Sequence, residues 1–60
     1  MTLTQAVKEA TEVAKRDGIK MVVTFNRYAE ADYEWQKYSY HPDAARHIFK
    51  YERVIDTIEF

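Results

Sequence analysis

The residues with chemical potential are few and scattered. Ser39 and His41 stand two apart in Tyr38-Ser39-Tyr40-His41. In an extended chain they share a face, which opens a hydroxyl–imidazole contact to them. Acyl transfer needs a third, orienting group and an oxyanion hole as well, and the pattern supplies neither. His41, Asp43 and His47 form a second set. On a helix beginning at Pro42, Asp43 and His47 are i,i+4 neighbours, and two imidazoles with a carboxylate can hold a transition metal. His41 falls outside such a helix, however, and Asp43 beside Pro42 reads more simply as a helix-start residue. The chain has no cysteine, which excludes disulfides, thiolate metal sites and thiol nucleophiles. With a single glycine it has no Gly-rich phosphate loop. A pocket of roughly several hundred Å³ is also hard to enclose in so short a chain. The expectation is a non-enzymatic protein with no cofactor and no metal.

The denser signal is aromatic. Tyr28, Tyr33, Trp35, Tyr38 and Tyr40 fall within one short stretch. Tyrosine and tryptophan bring large rigid area with a polar tip, and they dominate the energetics of protein interfaces. Glu30, Asp32 and Glu34 alternate among them. In extended chain they project from one face about 7 Å apart. Such a row can face a basic groove on a partner, or simply keep an edge solvated. Together with Lys37 these residues are the candidate partner-binding set. The competing reading of the aromatics is the core of a small sheet. A nucleic-acid binder stacking bases on an aromatic sheet face is an alternative, with Arg27, Lys20 and Lys37 near enough to help, but the acidic row repels phosphates. A pocket at a dimer interface that sequesters a small molecule is another. Arg46, Lys50 and Arg53 are interspersed with Asp43, Glu52, Asp56 and Glu59, an ordinary mixed surface.

The elements that must carry these residues follow from periodicity. Residues 2–17 read as a helix, with Leu3, Ala6, Val7, Ala10, Val13 and Ala14 in one apolar stripe. Thr2 and Gln5 match a capping box, with Thr4 a rival cap. Lys8–Glu12 and Glu12–Arg16 are i,i+4 pairs, and Gly18 stands where a left-handed C-terminal residue is wanted. Residues 19–26 alternate as a strand, with Ile19, Met21, Val23 and Phe25 facing the helix. The even face, with Val22 and Thr24, is apolar enough to suggest cover by a second copy of the chain. Residues 27–32 are expected to turn through a four- or five-residue type I connection. Residues 33–40 form a second strand, with a bulge at Gln36-Lys37 to restore a common aromatic face. His41-Pro42-Asp43 is expected to end it. Beyond that point the pattern supports a helical turn at 42–46 and a strand over 47–59, because Phe49, Tyr51, Val54, Ile55 and Thr57 are strand residues. The rival is a C-terminal helix on the stripe Ala44, Ile48, Tyr51, Ile55 and Ile58. The fold class is α+β in both cases: a helix on a small antiparallel sheet, α-β-β-β, or α-β-β-α in the rival.

Sixty residues make one domain, residues 1–60, and nine Lys and Arg against ten Asp and Glu leave a net charge of −1. That balance argues against a chain held on nucleic acid by bulk charge, and equally against a strongly acidic mimic of DNA. No apolar run is long enough to span a membrane. The N-terminus lacks the features of a signal peptide, so a cytoplasmic location is expected. A domain this small is marginal alone, and without disulfides or metal a homodimer or another protein partner is the expected supplement. In its organisation, with helix Leu3–Asp17 running straight into strand Ile19–Asn26 and then Tyr33–Tyr40, the chain resembles the small accessory proteins of bacteriophages. The resemblance implies an inhibitor that binds and blocks a host protein, restriction or CRISPR-type defence machinery included, in the host cytoplasm. It carries over no individual residue.

Overall fold

The computed structural model describes residues 1–26, 37–45, 47 and 52–59. The N-terminal helix α1 spans Leu3–Asp17. It starts where expected because Thr2, in extended conformation, accepts a hydrogen bond at Oγ1 from the backbone N–H of Gln5, 3.1 Å away. That satisfies one of the donors a helix leaves open at its N-terminus. Thr2, not Thr4, is therefore the cap. At the far end Gly18 takes φ 64° and ψ 37°, and its N–H bonds back to the Ala14 carbonyl. The expected Glu12–Arg16 pairing is replaced by a shorter-range one. Arg16 forks onto Asp17, with Nε to Oδ1 at 3.0 Å and Nη2 to Oδ2 at 3.1 Å.

Three strands follow: β1, Met21–Phe25; β2, Tyr38–Pro42; and β3, Arg53–Ile58. All pairings are antiparallel, and the sheet order β2-β1-β3 puts β1 at the centre. A 3₁₀ turn at Asp43–Ala45 follows β2. The architecture is thus α+β, with the helix followed by three strands. Of the strand expected over 47–59, Arg53–Ile58 is a strand, His47 stands in a turn, and 48–51 lie outside the described residues.

Ala6, Ala10 and Ala14 are fully buried and pack on Met21 and Val23 of β1. Alanine at i, i+4 and i+8 keeps one side of a helix flat, so the backbone can lie close to the sheet. Val7, Val13, Tyr38, Tyr40 and Ile58 close the rim of this core. The odd residues of β1 face the helix, as their alternation predicts. Ile19, expected on that face, lies before the strand and is exposed.

Several expectations are corrected. The β2 ladder runs from Tyr38 through Pro42, past the point where the Pro was expected to end it. The reason lies in the hydrogen-bond parity. Asn26 N–H bonds to the Lys37 carbonyl at 2.7 Å, and Asp43 N–H to the Lys20 carbonyl at 3.0 Å. Even residues of β1 therefore bond to β2, and Tyr38, Tyr40 and Pro42 turn their backbone groups to the free edge. A proline there forfeits no ladder bond. The expected turn at 27–32, and the 33–36 part of the expected second strand, lie outside the described residues. So does Gln36 of the expected bulge, and Lys37 stands in a turn. The register shift that is described lies between β1 and β3 instead. Val23 pairs with Asp56 and Thr24 with Val54, which leaves Ile55 as the extra residue. Finally, Val22 and Thr24 are 0% exposed within the single chain. The even face of β1 needs no second copy to cover it.

Candidate functional site

On the face of the sheet opposite α1, one polar constellation joins all three strands. In an antiparallel ladder, directly opposed residues share a face. Val22 is thus grouped with His41 and Thr57, and Thr24 with Ser39 and Val54. The Ile55 bulge shifts the chain by one residue, so that Glu52 also falls on this face. Glu52 Oε1 accepts a hydrogen bond from Thr24 Oγ1 at 2.6 Å and lies 3.2 Å from His41 Nε2. Thr24 Oγ1 is also 3.4 Å from the Ser39 carbonyl oxygen, but its one proton goes to the nearer and charged acceptor. The side chains of His41 and Glu52 keep 25% and 22% exposure.

One carboxylate oxygen therefore gathers a buried hydroxyl and an imidazole from the two strands beside it. This ties β2, β1 and the start of β3 together. A hydroxyl with no exposure cannot meet a substrate, so Thr24 is a structural donor here. Ser39 and His41 do share a face, but Nε2 of His41 is directed to Glu52. Among the described residues no three His, Asp or Glu side chains form a group able to hold a metal ion. That covers His41, Asp43 and His47. Sequence reasoning missed Glu52 as a member of the constellation, because a one-residue bulge in β3 decides which face it takes.

The candidate contact residues divide into two groups. Tyr38 and Tyr40 are half-buried and pack against the helix-side core. Tyr38 also meets Phe25 across the strands, ring centroids 5.6 Å apart and tilted by 54°, a favourable cross-strand aromatic geometry. These two tyrosines do not form an open stacking platform, because α1 covers the face they occupy. Lys37 stands at the mouth of the hairpin, where its carbonyl closes the ladder on Asn26. Tyr28, Glu30, Asp32, Tyr33, Glu34 and Trp35 lie in the connection 27–36, outside the described residues.

Two further charged features are peripheral. The Arg16 hydrogen bond holds the Asp17 carboxyl below its ordinary range, and the same bond raises Arg16. Both groups stand in water, where such pairs contribute little. Lys20 Nζ lies 3.6 Å from Glu59 Oε1, another exposed pair. No helix among the described residues is long and apolar enough to cross a membrane. Compared with protein-family models, curated proteins and solved structures, the chain gives no match in any of the three.

Proposed function

We propose that this chain is a small non-enzymatic protein-binding module that acts by occupying a partner's surface, in the manner of an inhibitor. The observation that carries the reading is the closure of the hairpin at Asn26 and Lys37, 2.7 Å from N–H to carbonyl oxygen. It anchors both ends of the segment that holds Tyr28, Tyr33, Trp35 and the acidic residues Glu30, Asp32 and Glu34 at one end of the sheet. The aromatic content then supplies the anchors that dominate interface energetics.

The side chains of Tyr38 and Tyr40 serve the helix-side core. The proposed contact set is accordingly Tyr28, Glu30, Asp32, Tyr33, Glu34, Trp35 and Lys37. The resemblance to small bacteriophage proteins supports a bacterial protein as the target. The nucleic-acid alternative loses support, because the described part of the sheet turns its tyrosines under the helix.

The test compares immobilised wild-type chain with Trp35→Ala in affinity capture from bacterial extract, with circular dichroism of both. The expected result is one protein retained in stoichiometric amount by the wild type. Truncating a hot-spot tryptophan costs about 2 kcal/mol or more of binding, roughly thirtyfold in affinity, so Trp35→Ala should release it with the fold intact. Retention unaffected by Trp35→Ala, or no retained protein, overturns the assignment of this contact set.

A further inference from the structure

We draw no further inference here: the strongest candidate, the outer edge of the sheet along β2 at Tyr38–Pro42, carries none, because nothing in the structure shows what covers it.

Discussion

Gly18 and Thr24 show how much a single position can carry in so short a chain. At Gly18 an added Cβ would meet nothing within 4 Å, so a substitution there is opposed by backbone conformation alone. With φ at 64°, Gly18→Ala should lower the unfolding free energy by about 1 kcal/mol. Gly18→Asn should cost less, because asparagine tolerates the left-handed region better. Urea denaturation followed by circular dichroism ranks the two, and equal costs would contradict this account. At Thr24 the burden is polar. Its hydroxyl is fully buried and donates to Glu52 at 2.6 Å. Thr24→Val keeps the shape and removes the donor, so it should cost about 1.5–3 kcal/mol, the range for a hydrogen bond to a charged group. Because the Glu52 carboxylate retains some solvent access, the lower end is expected. In the Thr24→Val background a further Glu52→Gln change should cost less than it does alone, since the two share one bond.

At the scale of elements, the bulge in β3 decides what the C-terminal strand presents. Ile55 is the unpaired residue and is 41% exposed. Ile55→Asn should therefore change stability by no more than about 0.5 kcal/mol, like other surface positions. Deleting Ile55 removes the extra residue, so that Val54 stays opposite Thr24 and Glu52 keeps the face on which it meets Thr24 and His41. The deletion should therefore cost no more than about 1 kcal/mol in equilibrium unfolding. A loss of several kcal/mol would mean that the bulge does more than set the parity of Glu52. The same element explains what could be read from the chain and what could not. α1 was legible because its cap, its alanine stripe and Gly18 all point one way. β1 was legible from its alternation. The existence of β3 followed from β-branched composition, but its bulge did not, since Val54, Ile55 and Ile58 fit more than one parity. The reach of β2 through Pro42 was hidden for another reason. Whether a proline ends a strand depends on which way its missing donor would point, and that is settled only by the neighbouring strand. Of the candidate site, the even face of β1 read as one that a second copy would cover, because Glu52, far along the chain, carries no local mark of its place beside Thr24.

At the scale of the whole molecule, the fully buried apolar residues among those described are Ala6, Ala10, Ala14, Met21, Val22 and Val23. Alanines make up the helix's share. They permit close packing but bury little area each, and hydrophobic stabilisation scales with area. A core of this kind leaves a domain of sixty residues near the margin at which oligomerisation becomes a stabilising supplement. Coupling folding to association has a measurable consequence. When the native state is a dimer and the unfolded state is not, mass action raises the unfolding temperature with concentration. A tenfold increase adds about 1.4 kcal/mol per dimer. Spread over the unfolding entropy of two such chains, this amounts to a rise of roughly 3–6 °C. Thermal melts across a hundredfold range of concentration should show about twice that rise for the homodimer expected from the chain's size. A midpoint independent of concentration would mean that the helix-on-sheet core is sufficient alone.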